Sequence, residues 1–149
     1  MRLTPDALDC YPHHLNIATR WADNDVYGHV NNSVYYYYFD TVVNRWLIKN
    51  DLLEIGKSEI IGLVVETGCN YFAPIEFPDD IIAGLRVTKI GRSSVRYEIG
   101  LFRNEEKSAS AQGHFVHVYV DEKNRKPQPI SATMLKKLDQ LSQLGEISK

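Results

Sequence analysis

Apolar positions change period along the chain. Between Val34 and about Lys49, Tyr35, Phe39, Val42 and Trp46 recur three or four residues apart, and Val34, Tyr38, Val43 and Leu47 widen the stripe. That spacing predicts a helix, capped by Asn32 or Ser33. So apolar a helix is better placed against a sheet than on a solvent-facing surface, although its aromatic content is also compatible with a strand. Four adjacent tyrosines, Tyr35 to Tyr38, turn by about 100° per residue and cannot share one face.

From Ile60 onward the period is two. Strands are expected at 61–72, 80–90, from about Ser94 to Leu101, and at 109–120, and a short first strand from Leu15 to Trp21. Val95, Tyr97, Ile99 and Leu101 point one way; in the last strand Val116, Val118 and Val120 alternate with Phe115, His117 and Tyr119. Pro74 and the pair Pro127 and Pro129 end strand segments, because proline lacks the ladder donor. Leu135, Leu138, Leu141 and Leu144 predict an amphipathic terminal helix docked on the body or on a partner. The expected division is a leader over 1–14, one domain over 15–130 and a helical extension over 131–149. A strand, a buried helix and four antiparallel strands make the fold class α+β.

Composition narrows the partners. The 149 residues carry a net charge of −2 with no lysine or arginine block, so neither nucleic acid nor an anionic membrane is expected to bind. Cys10 and Cys69 have no metal-ligand spacing, and Cys69 reads as a small hydrophobe in a strand. No metal or separate cofactor is expected. The start lacks the apolar stretch of a secretory signal, and no run approaches a membrane span, so a cytoplasmic location is the expectation.

Chemistry concentrates in Trp21-Ala22-Asp23-Asn24-Asp25-Val26-Tyr27-Gly28-His29-Val30-Asn31-Asn32, where an extended segment gives way to the helix. The stretch from Asp23 to Asn32, followed by Tyr36, Phe39 and Asp40, resembles the signature of the 4-hydroxybenzoyl-CoA thioesterase-like family. The likeness continues through Tyr71-Phe72-Ala73-Pro74-Ile75, Gly91-Arg92-Ser93-Ser94 and Val118-Tyr119-Val120-Asp121. It implies the hotdog fold, a curved antiparallel sheet wrapped around a long central helix. It also implies hydrolysis of acyl-CoA or acyl-carrier thioesters in a homodimer or homotetramer, with sites between subunits. Tyr27 departs from the pattern, being bulky where the signature often has a small residue.

The resemblance puts the catalytic aspartate on Asp25, as general base or nucleophile, and the carbonyl-polarising donor on the backbone N–H near Asn32. First-turn N–H groups lack helical partners and face the positive end of the peptide dipoles, which suits a developing oxyanion. Without the resemblance Asp25 reads as a turn or cap residue. Asp23 is expected to order the loop, Gly28 to let the backbone bend, and Asn31 to fix the entry into the helix; His29 is balanced between a functional role, positioning Asp25 or contacting substrate, and a structural one. Arg92 and Ser93 fall where the family meets the coenzyme arm, although a hairpin turn also favours them. Two other functions remain open: an acyl-thioester hydratase or dehydratase, and a non-catalytic acyl-thioester-binding protein.

Overall fold

In a computed structural model, describing residues 3–142, the central helix α1 spans Asn32–Lys49. Its cap is Asn31, not Asn32 or Ser33: the Asn31 Oδ1 accepts the Ser33 N–H at 3.0 Å and the Ser33 hydroxyl at 2.7 Å. Asn31 keeps extended backbone angles while its carbonyl accepts the Val34 N–H, the defining geometry of a cap. The helix ends at Asn50, where Asp51 turns left-handed with φ 59°. Tyr35, Tyr38, Phe39, Val42, Val43, Trp46 and Leu47 are buried. Tyr36 is half-buried and Tyr37 is 67% exposed, as the helical step requires.

Five strands form one antiparallel sheet: β1 His13–Ala18, β2 Ile60–Tyr71, β3 Asp80–Ile90, β4 Ser94–Arg103 and β5 Ala111–Asp121, in the order β1-β3-β4-β5-β2. This is the expected α+β hotdog fold, with α1 against the sheet's concave face. Ile81, Ala83, Leu85 and Val87 of β3 and Val95, Tyr97, Ile99 and Leu101 of β4 point inward and are almost wholly buried. In β5 the inward row is Phe115, His117 and Tyr119, while Val116 and Val118 lie half-buried on the outer side. Register shifts between Val64 and Glu66 and between Val87 and Lys89 each add a residue to one strand. Such bulges bend the strand, and here they help the sheet curl about the helix.

The chain's start differs from expectation. β1 begins at His13 and stops at Ala18, because Thr19 turns its N–H and hydroxyl to the Asp79 carbonyl. Trp21–Asp23 is a single 3-10 turn. The leader is also anchored: Tyr11 is buried against Phe102, and half-buried Cys10 packs beside them. At the other end α2, Ala132–Ser142, buries Met134, Leu138 and Leu141 against the body near β3; Leu144 lies outside the described residues. Among the described residues no helix is long and apolar enough to cross a membrane.

Candidate active site

A tight loop joins β1 to α1. Asn24 and Val30 pair across it, the Asp25 N–H donates to the His29 carbonyl at 2.9 Å, and the Gly28 N–H returns to the Asp25 carbonyl at 3.1 Å. Gly28 takes φ 83°, a left-handed conformation that a side chain would strain. Two bonds fix the loop to the body: Val30 N–H to the Ile75 carbonyl at 2.7 Å, and Phe77 N–H to the Asn24 Oδ1 at 3.0 Å.

The two carboxylates in this loop have different surroundings. Asp23, 1% exposed, accepts the Tyr38 hydroxyl at 2.7 Å, the Arg20 N–H at 2.9 Å and the Arg20 guanidinium at 3.0 and 3.1 Å. Burial alone would raise its pKa, but these donors outweigh burial and hold it below the ordinary aspartate value. With its oxygens committed, Asp23 anchors the loop to α1. Its own carbonyl accepts the Asn31 N–H at 2.9 Å, joining anchor to cap.

Asp25 is half-buried, and its Oδ1 accepts the Tyr27 N–H at 2.8 Å, a local turn that leaves Oδ2 uncommitted among the described residues. Val26, Tyr27, Gly28 and His29 are exposed around it. Asn31 spends its side chain on Ser33, leaving the Asn32 N–H at the first helical position without an acceptor among the described residues. His29 and Asn32 border an open hollow of about 300 Å³ with Tyr35, Tyr71, Ala73 and Pro74. The Tyr71 hydroxyl reaches the Asn32 carbonyl at 3.5 Å. An uncommitted carboxylate oxygen and a free helix-start N–H therefore share one end of the sheet, near a surface hollow.

Arg92 and Ser93 are elsewhere. They form the β3–β4 turn, where the Arg92 carbonyl accepts the Ile130 N–H and the Ser93 carbonyl accepts the Tyr119 N–H. The length of β4 separates this turn from the Asp25 loop, roughly 30 Å at about 3.3 Å per residue. Within one chain the two parts of the expected site do not meet. A hollow of about 700 Å³, bordered by Lys57, Lys123 and Arg125 but also by Glu54, Glu59, Asp121 and Glu122, lies at the Arg92 end. Among the described residues no cluster of histidine, cysteine, aspartate or glutamate is arranged to hold a metal.

Sequence reasoning did not single out Arg20, Tyr38 or Asn24. Arg20 stands three residues before Asp23 in the sequence, a readable pairing distance. Tyr38 was hidden among four tyrosines, and only the fold shows which one reaches Asp23.

The chain matches the thioesterase-like superfamily over residues 19–138, a span that includes the Asp25 loop, α1 and all of the sheet after β1. It belongs to that superfamily. Among solved structures, the PA5185 protein from Pseudomonas aeruginosa is 47% identical, with a TM-score of 0.89 over 92% of this chain and 96% of its own. A thioesterase from Thermus thermophilus, solved with coenzyme A and zinc, is 28% identical, with a TM-score of 0.74 over 93% of this chain and 98% of its own. A 1,4-dihydroxy-2-naphthoyl-CoA thioesterase from Synechocystis shares the fold at 18% identity, with a TM-score of 0.77 over 87% of this chain and 96% of its own. Among curated proteins, none matches this chain.

Proposed function

We propose that this superfamily member is an acyl-CoA thioesterase that releases a free acid and coenzyme A, with Asp25 as its catalytic carboxylate. The observation that carries the reading is the presence, inside the family-matched segment, of an uncommitted Asp25 oxygen in the loop and a free Asn32 N–H where that loop enters α1. As general base, Asp25 takes a proton from water while the oxygen of that water bonds to the thioester carbon. The carbonyl oxygen becomes an oxyanion held by the Asn32 N–H, and its collapse breaks the C–S bond and expels a thiolate that takes up the proton. As nucleophile, the Asp25 carboxylate bonds to the thioester carbon and the C–S bond breaks to expel the thiolate, leaving an anhydride that water opens to the free acid and the restored carboxylate. A thiolate leaves readily enough that neither route needs a serine–histidine–acid arrangement. His29 and Gly28 shape the loop, while Asp23 and Asn31 hold it.

A second copy of the chain completes the site in this reading. β2 is an edge strand of twelve residues, and on its helix-facing side Val64, Thr67 and Tyr71 are exposed, Val64 at 46%. An uncovered apolar edge of that length invites strand pairing. Antiparallel pairing of β2 with its own copy about a two-fold axis near mid-strand sets the Tyr71 end of one protomer beside the Ile60 end of the other. The Asp25 loop of one then faces the Arg92 turn of its partner, where Arg92 and Ser93 meet the coenzyme arm. Coenzyme A bound by the Thermus relative favours that carrier.

Purified protein is expected to release free thiol from a panel of acyl-CoA and acyl-carrier thioesters varying in length and aromaticity. A change in enoyl absorbance with no thiol released would instead indicate a hydratase. Saturable binding with neither reaction would indicate a binding protein.

A further inference from the structure

The concave face of β5 carries a polar side chain that neither the fold nor the proposed hydrolysis uses. His117 is 4% exposed, and neither ring nitrogen has a hydrogen-bond partner among the described residues. The ring sits in an aromatic cage, 5.1 Å from the Tyr97 ring and 6.0 Å from those of Phe115 and Tyr119. Phenylalanine would suit such a cage without the cost of two unpaired nitrogens, so an imidazole there calls for something to bond it. The Tyr97 and Tyr119 hydroxyls lie 2.7 Å apart; one donates to the other, which keeps a hydrogen for a further acceptor.

His117 and Tyr119 border a cavity of about 60 Å³ between the second half of α1 and the start of β2, with Asn44, Leu47, Leu53 and Gly62 among its walls. Gly62 makes room for the imidazole, since a Cβ there would lie 2.7 Å from the His117 Nδ1. Burial lowers the His117 pKa to about 4, so the ring is neutral near pH 7 and presents one N–H and one bare nitrogen. Among the described residues no charged side chain lines the cavity, so it holds no counter-ion for an anion or an ammonium group. A hydroxyl, which both donates and accepts, is the matching group. The volume is well under the roughly 150 Å³ of a cavity that takes benzene, which excludes an aromatic ring and leaves room for the end of an aliphatic chain.

Position agrees with that ligand. The cavity lies at the Ile60 end of β2, the end that self-pairing of β2 would bring to the Asp25 loop of the second copy. Resting on the thioesterase reading, we propose that this cavity is the far end of the acyl pocket and selects a short aliphatic acyl group bearing a hydroxyl, bonded by His117.

The test separates binding from hydrolysis. With the histidine nitrogens labelled with ¹⁵N, 6-hydroxyhexanoyl-CoA or 3-hydroxybutanoyl-CoA is expected to shift the His117 resonances, and hexanoyl-CoA and butanoyl-CoA to leave them near their ligand-free positions. In thiol release the wild type is expected to favour a hydroxylated substrate over its deoxy partner by roughly tenfold in kcat/KM. His117→Phe should erase that preference, and His117→Gln, which keeps a donor and an acceptor, should retain part of it. Resonances that no thioester moves would mean that the cavity holds water only, and would overturn the proposal. A preference that is absent in the wild type, or that survives in a folded His117→Phe, would overturn it too. Should no thioester release thiol, the proposed function fails, and the resonance shift still decides the role of the cavity.

Discussion

Acidification is expected to destabilise this protein partly through one buried ring. The ordinary histidine value is 6.5 and burial lowers that of His117 to about 4, so between those values the unfolded chain takes up a proton that the folded chain refuses. The stabilisation is present above pH 6.5 and is lost as pH falls to about 4. At 1.36 kcal/mol per pH unit the loss is about 3 kcal/mol, a large part of the 5–15 kcal/mol typical of a domain. For a chain of about 150 residues that corresponds to roughly 6–12 °C in Tm. Thermal and urea unfolding of wild type and His117→Phe at pH 7, 5.5 and 4 measures it. Asp23 and Glu98, both held below their ordinary values by hydrogen bonds and arginine partners that outweigh burial, lose stability in acid in both proteins. The difference between the proteins therefore isolates the ring. A variant that loses as much stability as wild type between pH 7 and 4 would refute the reasoning.

Packing, capping and assembly are open to equally direct tests. A Cβ at Gly113 would lie 2.2 Å from the Phe39 ring; Gly113→Ala is expected to cost about 1–3 kcal/mol in urea unfolding by forcing α1 from the sheet. Asn31→Ala removes the α1 cap and should cost about 1 kcal/mol, while lowering turnover further because the same cap positions the Asn32 N–H. Val64→Lys places a charge on the exposed helix-facing side of edge strand β2, and light scattering should show it shifting the assembly toward monomer with a loss of thiol release. A stable, fully active wild-type monomer at assay concentration would refute the shared site.

The strands were legible where one face was plainly apolar. Val95, Tyr97, Ile99 and Leu101 could only face a core, and α1 showed its buried stripe through helical spacing. β5 was ambiguous because both of its faces carry bulky groups: valines alternate with Phe115, His117 and Tyr119, and the curve of the sheet decides that the aromatic row faces in. The cap went to Asn31 because Asn31, Asn32 and Ser33 all have suitable oxygens, and only the loop geometry aims one of them at Ser33. β1 ended early because its limit is set by Asp79, sixty residues away. The cluster around Asp25 was readable as a motif. Its separation from Arg92 was not, since that depends on which end of the sheet each turn occupies.

The most direct measurement is thiol release by Asp25→Asn on the substrate that the wild type hydrolyses fastest. Asparagine keeps the Oδ1 that accepts the Tyr27 N–H but can neither remove a proton from water nor attack as a carboxylate. Turnover is expected to fall by at least about a hundredfold, with thermal unfolding and thioester affinity near wild type. A folded Asp25→Asn that releases thiol at the wild-type rate would contradict the assignment of Asp25 as the catalytic group.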